Sequence, residues 1–559
     1  METVSREELK VQFTELGVQI DEDVLDVCYE LCVKYGLGEA DLVESWIAYS
    51  FSTSNGALPT LDNIRAFERV EFINKKKPSM SKTSYVPIFS AADNNSPIRN
   101  SSSNNKCKTP NYKNSQENFR LNFSPAGFSP DIYTPSTKYS SRKNSGQVLA
   151  TVGKSLFSWE SKSQNMNVKE YRETNSKDWK YFYSTLRNMS LIIEDSSMEL
   201  AQAILKHHAL PDPSPITNQT EETIFIGRIC LIEKNKPVFI YDLCSSDDGK
   251  EDSTKELDLT NINEFTLFPG QVVAIKGTAV SNKVVATEIF NSAPLPLPPP
   301  PSFSGNLEIC VAAGPMTLSD TLSYEPFQDL VNYVIKNKPN ILIIIGPILD
   351  SNHVKITEDG VAETFSDYFT RLIKQMEESF QNINIQVFII SNSKDAMNIP
   401  VYPTPVPSSN NFSNNIKFYP DPCIIDINGL IVGITSTDLL LHLGKYELSK
   451  IQSNRLGVLA GQLINQRSFY PLWPNESDFV FELNLWQKYS RLPVTPHILI
   501  MPSDLHCFLK ETAGCLIVNP GRLTKGMVGG TFSCIEIQSQ EESLEWKTDT
   551  HIAAKIIRI

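Results

Sequence analysis

Residues 341–353 read ILIIIGPILDSNH. Five aliphatic side chains in a row leave no face for water. A strand of that composition is buried on both sides, as in a parallel sheet covered by helices. It empties through Gly346 and Pro347 into a loop with Asp350, Asn352 and His353, residue types that bind divalent cations. Similar runs recur at LEICVA (307–312), QVFII (386–390), CIIDI (423–427), LIVGITS (430–436), HILIM (497–501) and CLIVN (515–519). Between them, FSDYFTRLIKQMEESF (365–380) has helical spacing. Residues 303–559 are therefore expected to form a layered α/β domain.

Strand ends carrying Asp, Asn and His raise the question of a metal site. Two-metal phosphoester hydrolysis needs oxygen and imidazole ligands converging from several strand ends, with the ions about 3.5–4 Å apart. Calcineurin-like phosphoesterases supply them from Asp-x-His, Gly-Asp-x-x-Asp, Gly-Asn-His, a lone His and Gly-His-x-His. Here the first loop is Ala312-Ala313-Gly314-Pro315, without Asp or His. In the second, Pro347 stands in place of the bridging Asp and only Asp350 remains. The third is Ser391-Asn392-Ser393-Lys394, and the last is Pro502-Ser503-Asp504-Leu505-His506. Asp350, Asn392 and His506 are the candidates for vestigial metal positions, with Asp504 and His353 as further stragglers. At most, Asp350 and His506 would support one weakly held ion. The domain is thus expected to keep a calcineurin-like phosphoesterase fold without catalysis, with no catalytic residue, no metal and no cofactor. No G-x-S-x-G elbow and no phosphate-binding G-x-x-x-x-G-K-[ST] loop appears.

Upstream, PLPLPPPP (294–301) is an extended, stiff stretch. Residues 294–302 are expected to be a spacer between domains. Residues 166–293 combine a helical lead-in, SMELAQAILKHHAL (197–210), with the strand-like TIFIGRICLI, PVFIYDL, QVVAIKGTAV and KVVATEIF. With the turn FPG at 268–270, this reads as a small OB-type β-barrel. His207 and His208 cannot both face one metal from a helix and are expected at the surface or a cap. The aromatics Phe225, Phe239 and Tyr241 are isolated, so a stacking platform for single strands is not evident, and direct DNA binding is expected to be weak or indirect.

Residues 76–165 are dominated by Ser, Asn, Lys and Pro and lose apolar periodicity. Such a segment cannot offset its ordering entropy and is expected to be a disordered linker. Ser96, Thr109, Ser124, Ser129 and Thr134 each precede proline, the arrangement that proline-directed kinases read on extended chain. The aromatics of FRLNFSPAGFSPDIYTPSTKYSSR (119–142) suggest that part of the linker docks on something. Residues 1–75 repeat apolar side chains at helical spacing, with Ser5 and Glu8 as a capping box and Gly36 as a helix end, and are expected to form an all-α bundle used for docking.

The chain has 559 residues and a net charge of −13, a balance that favours protein partners over nucleic acid. Ten cysteines without a C-x-x-C pair argue against a zinc ribbon or a disulfide framework and for a reducing compartment. The charged start METVSREELK has no apolar signal core, and no run is long enough to span a bilayer, so no membrane role is expected.

Several phrases, in order along nearly the whole chain, resemble the B subunits of DNA polymerase alpha. They are FPGQVV (268–273), GPILD (346–350), PVYPTPVP (400–407), GITSTDLLLHLG (433–444), QRSFYPLWP (466–474), LPVTPHILIMPSDL (492–505) and NPGRLTKGMVGGTF (519–532). The N-terminal helices and the Ser/Thr-Pro linker favour the alpha version over the B subunits of polymerases delta and epsilon. The resemblance implies a nuclear, non-catalytic accessory subunit of the polymerase alpha–primase complex, acting in replication initiation and lagging-strand primer synthesis. It implies that the OB and phosphoesterase-like domains grip the zinc-bearing C-terminal module of the catalytic subunit, and that primase subunits are reached through the complex. It further implies that the N-terminal domain tethers replisome proteins and that a cyclin-dependent kinase acts on the linker. The rival readings are an active metal-dependent phosphoesterase and a single-stranded-DNA-binding OB protein.

Overall fold

The computed structural model describes residues 5–15, 20–35, 38–39, 42–43, 45–46, 49–50, 59–69, 136–153, 166–172, 174, 176–217, 219–230, 237–244, 254–280, 283–301, 305–357, 363–407, 412–451, 454–538 and 546–559. The proline-directed positions Ser96, Thr109, Ser124, Ser129 and Thr134, and Gly36, lie outside the described residues.

Near the N-terminus, α1 (Arg6–Glu15), α2 (Glu22–Tyr35) and α3 (Leu61–Glu68) bury one face each. Leu9 and Phe13 meet Val24, Cys28, Leu31, Ile64 and Phe67, and Trp46 stands edge-on to Phe67 at 5.6 Å. The start of α1 differs from the expected capping box: the Ser5 amide donates to Glu39 (2.6 Å), not to Glu8. A carboxylate from a later turn reaches the orphan donor that a local Glu would have taken.

Two short strands, β1 (Val148–Val152) and β2 (Val168–Glu170), precede the long helix α4 (Leu186–His207). The side-chain hydroxyl of Thr185 caps α4 by accepting from the Asn188 amide (3.3 Å). Then come β3 (Gln219–Ile229), β4 (Val238–Asp242), β5 (Thr254–Asp258), β6 (Phe265–Leu267), β7 (Val272–Val280) and β8 (Lys283–Phe290). Strands β3-β4-β5-β8-β7 close into a barrel around Phe225, Ile240, Val273, Ile275 and Val284. Leu200, Ala201 and Ile204 of α4 cover Ile224, Ile226 and Ala274 on its outside. His208 sits at the C-cap of α4 with Nε2 bonded to the Ser292 carbonyl (2.9 Å).

The remaining chain builds β9 (Asn306–Ala313), α5 (Glu325–Asn337), β10 (Ile341–Ile345), α6 (Phe365–Ser379), β11 (Gln386–Ile390), β12 (Ile416–Tyr419), β13 (Cys423–Ile427), β14 (Leu430–Ile434), α7 (Leu439–Tyr446) and β15 (Leu448–Lys450). It continues through α8 (Arg455–Asn465), β16 (Ile498–Ile500), β17 (Phe508–Thr512), β18 (Cys515–Asn519), β19 (Thr524–Lys525), β20 (Val528–Gly529), β21 (Thr531–Gln538) and β22 (Ile552–Arg558). Among the described residues, one sheet runs β1-β22-β21-β9-β10-β11-β12 and a second runs β17-β18-β16-β14-β13-β2. Ile341, Ile343 and Ile345 face the second sheet's Val432, Ile498 and Val518, while Leu342 and Ile344 face Phe327, Leu330 and Leu372 of α5 and α6. That two-sided burial is why the strand is aliphatic at every position. On the far side, Leu499, Met501 and Ile517 meet Leu439, Leu443, Leu459 and Leu463 of α7 and α8. The domain is a sandwich of two sheets between two helical layers.

Two expected boundaries move. The linker expected to run to 165 contains β1, which pairs antiparallel with β22 at the sheet edge. Likewise β2, expected in the barrel's lead-in, pairs with β13 in the second sheet. Edge pairing satisfies their backbone groups, and Leu149, Ala150, Val152 and Val168 pack against the core between the sheets, so short apolar stretches join from outside the expected boundaries. The proline stretch does not run free between domains. The Thr495 hydroxyl donates to the Leu295 carbonyl (2.6 Å), Arg467 Nε donates to the Ala293 carbonyl (2.6 Å), and Leu297 packs among the residues between the two sheets. Its leucines anchor it, where its prolines alone suggest a stiff spacer.

Candidate functional site

The loops after β9, β10, β11, β14, β16 and β18 converge where the two sheets end. Cross-sheet bonds fix this: Asn392 Nδ2 donates to the Ser436 carbonyl (3.2 Å), and Arg522 Nη1 donates to the Gly314 carbonyl (3.4 Å). In this cleft the guanidinium of Arg522 lies between two carboxylates. Nε donates to Asp504 (3.0 Å) and Nη2 to Asp438 (3.2 Å). Asp438 also caps α7 by accepting from Leu441 N (3.1 Å), and accepts from Ser503 Oγ (2.7 Å) and Asp504 N (2.7 Å). Lys525 Nζ donates to the Asp504 carbonyl (3.0 Å). Burial opposes the charge on Arg522, but Asp504 and Asp438 hold its pKa above the ordinary value. Burial likewise opposes the Asp504 carboxylate, and Arg522, Lys394 and Lys525 outweigh it and hold its pKa low. A fixed, delocalised cation thus supplies charge compensation within the side-chain network.

The backbone is shaped to this lock. A Cβ on Gly530 would lie 2.0 Å from the Arg522 carbonyl oxygen, so the strand passes only as glycine. Asn519 accepts from Ser503 N (2.9 Å) and Gly521 N (2.9 Å) and donates to the His506 carbonyl (2.9 Å). Beside it, Asp421 is fully buried and accepts from Thr435 Oγ1, Ser436 N, Ser436 Oγ and Thr437 Oγ1, all within 2.9 Å. Burial pushes its pKa up despite these donors.

The residues singled out from sequence are held mostly by main-chain groups. Asp350 accepts from the Asn352 amide (3.0 Å) and bridges to Asp395 through the backbone. His353 is buried, with Nε2 on the Leu318 carbonyl (2.7 Å) and Nδ1 accepting from Lys355 N (3.1 Å). Asn392 Oδ1 accepts from Lys394 N (2.8 Å), and His506 Nδ1 bonds the Cys507 carbonyl (2.8 Å). The structure brings Asp504 to Asp438 and Arg522 and does not gather Asp350, His353 and His506 into one ligand set. Among the described residues, no three His, Cys, Asp or Glu side chains are grouped to hold an ion. Sequence reading missed Asp395, whose buried carboxylate ties two loops by accepting from Ile348 N (2.7 Å) and Leu349 N (3.3 Å) and is pushed to about 7 by burial. It also missed Asp421, Asp438 and Arg522. Their signal was present: charged residues inside the otherwise apolar or glycine-rich phrases YPDPC, GITSTD and NPGR.

A second feature is the seam between barrel and sandwich. Gln466 accepts from Val272 N (2.9 Å) and donates to the carbonyls of Val272 (3.1 Å) and Asn291 (2.9 Å). Gln271, fully buried, donates to Gln462 (3.1 Å). Gly270, at φ +87°, lets the FPG turn lie against Trp473; a Cβ there would meet Trp473 N at 2.5 Å. Strand β15 pairs with β6 across the same seam. Next to it, the entry into α4 leaves Phe182, Tyr183 and the helix's first residue, Leu186, at 63%, 80% and 82% exposure.

Three family descriptions match the chain in order. Residues 7–75 match the N-terminal part of the B subunits of DNA polymerase alpha, and residues 190–292 match the OB domain of the same proteins. Residues 309–510 match the B subunits of DNA polymerases alpha and epsilon. The chain is 29% identical to the DNA polymerase alpha B subunit of Mus musculus, over 100% of both chains. It is 29% identical to that of Drosophila melanogaster, over 94% of this chain and 95% of the relative. It is 26% identical to that of Schizosaccharomyces pombe, over 93% and 95%. A solved archaeal phosphodiesterase aligns with 45% of this chain and 100% of its own at 10% identity and a TM-score of 0.20, too slight to bear on the fold.

Proposed function

Because the chain belongs to the family of DNA polymerase alpha B subunits, we propose that it is the non-catalytic accessory subunit of polymerase alpha, using its barrel and sandwich as one rigid grip on the catalytic subunit. The observation that carries this reading is the Asp438–Arg522–Asp504 lock at the convergence of the strand ends. Two-metal hydrolysis needs carboxylates directed at cations there, and Asp438 and Asp504 are spent on a guanidinium while Asp350, Asp395 and Asp421 accept from amides and hydroxyls. The seam supports the same reading, since a grip made of two domains works only if they keep a fixed relation. The exposed Phe182, Tyr183 and Leu186 beside that seam supply apolar area of the kind found in interface cores.

In this account the N-terminal helices tether replisome proteins, primase is reached through the complex, and the segment at 76–135 receives cyclin-dependent kinase phosphorylation at Ser96, Thr109, Ser124, Ser129 and Thr134. The setting is the nucleus, during initiation and lagging-strand primer synthesis. The test is co-purification of the full chain with the catalytic subunit. Tyr183→Glu together with Leu186→Glu should abolish it while leaving thermal unfolding unchanged. If the double variant still retains the catalytic subunit, the assigned surface is wrong, and metal-dependent phosphodiester hydrolysis by the full chain contradicts the non-catalytic role.

A further inference from the structure

A groove of about 660 Å³ opens on the outer helical layer between α5 and α6. Leu322, Phe327, Leu372 and Met376 give it an apolar floor, together with the rings of Tyr324 and Tyr368. Its size lies in the ~300–1,000 Å³ range of cavities that bury a compact organic group. One wall comes from the segment that leads into β1. There Tyr139 is buried and donates to Asp329 (2.9 Å), and Arg142 lies over its ring at 3.7 Å. Just before, the Ser136 amide donates to Glu325 (2.9 Å). The chain therefore reaches the groove at Ser136, already fixed to its rim.

The stretch immediately before Ser136, FRLNFSPAGFSPDIYTP (119–135), carries Phe119, Phe123, Phe128 and Tyr133 in a segment otherwise dominated by polar residues. Tyr133 is three residues from Ser136, within about 11 Å of chain at ~3.6 Å per residue. A tether that short gives a local concentration on the order of millimolar, so weak contacts suffice to hold it. We propose that the groove between α5 and α6 is the docking site for residues 119–135 of this same chain, whose aromatic side chains extend the anchorage begun by Tyr139. The apolar floor matches those rings, and the covalent continuity at Ser136 selects this occupant over a separate polypeptide.

The test uses the full chain with Phe128 replaced by a photoreactive benzophenone amino acid. On irradiation, adducts are expected on peptides from 322–331 and 368–379 of the same molecule. Phe123→Ser with Tyr133→Ser should lower the yield severalfold. Irradiating an equal mixture of light and heavy isotope-labelled chains separates the occupants. Mixed-mass adducts would assign the groove to a second copy and overturn the proposal, as would adducts elsewhere on the chain or a yield indifferent to the two serines.

Discussion

Arg522 and Asp438 form a buried pair at 3.2 Å, half-buried Asp504 lies 3.0 Å away on the same guanidinium, and removal of Arg522 leaves Asp504 and Asp438 facing one another in the cleft. Breaking a buried pair from one side costs about 3–5 kcal/mol, so Arg522→Gln should lower the urea midpoint accordingly. A second residue-scale test lies inside the first sheet. Glu308 and Glu536 stand directly opposite on β9 and β21, both buried, each with an unpartnered Oε2. Burial, and then the facing Glu536, push Glu308 to about 7. A carboxyl whose folded pKa is raised binds its proton more tightly when folded, so stability falls as pH rises from the ordinary carboxyl range through about 7. Glu308→Gln should therefore raise the melting temperature at pH 8 more than at pH 6. An equal effect at both pH values would contradict a protonated Glu308. At this scale the sequence was only half legible. His353 and His506 read as metal-ligand types, but nothing in their letters told that main-chain groups occupy both ring nitrogens of His353 and Nδ1 of His506. The pairing of Arg522 with Asp438, distant in the chain, depends on the fold that brings their loops together.

Among the elements, ILIII was readable because burial on both faces demands apolar residues throughout, and the same holds for LEICVA, QVFII and CLIVN. The edge strand β1, VLATV, was not, since it is only five residues long within a polar stretch, and pairing with β22 together with packing of Leu149, Ala150 and Val152 between the sheets recruits it. A consequence is specific to where the chain is cut. Removing residues 1–135 keeps β1 and should leave a soluble, cooperatively melting protein. Removing residues 1–165 strips β1, exposes the unpaired side of β22, and should give a lower melting temperature and aggregation, measured by thermal scattering. Equal behaviour of the two truncations would show that β1 contributes nothing to the sandwich.

For the whole molecule, the seam decides whether barrel and sandwich act as one body. The phrases FPGQVV and QRSFYPLWP, far apart in sequence, meet there through Gly270 and Trp473 and through Gln466 and Val272. Calorimetry should show both domains unfolding in one transition in the full chain, and Gly270→Val, which forces a side chain into Trp473, should split it into two. The cleft carries its own cation, Arg522, in place of a pair of metal ions. The most direct test of this is anomalous scattering from crystals of the full chain soaked in manganese. No manganese peaks are expected among the loops at 346–353, 391–395, 435–438 and 503–506. Two adjacent ions bridged by side chains of those loops, with Arg522 displaced, would contradict it.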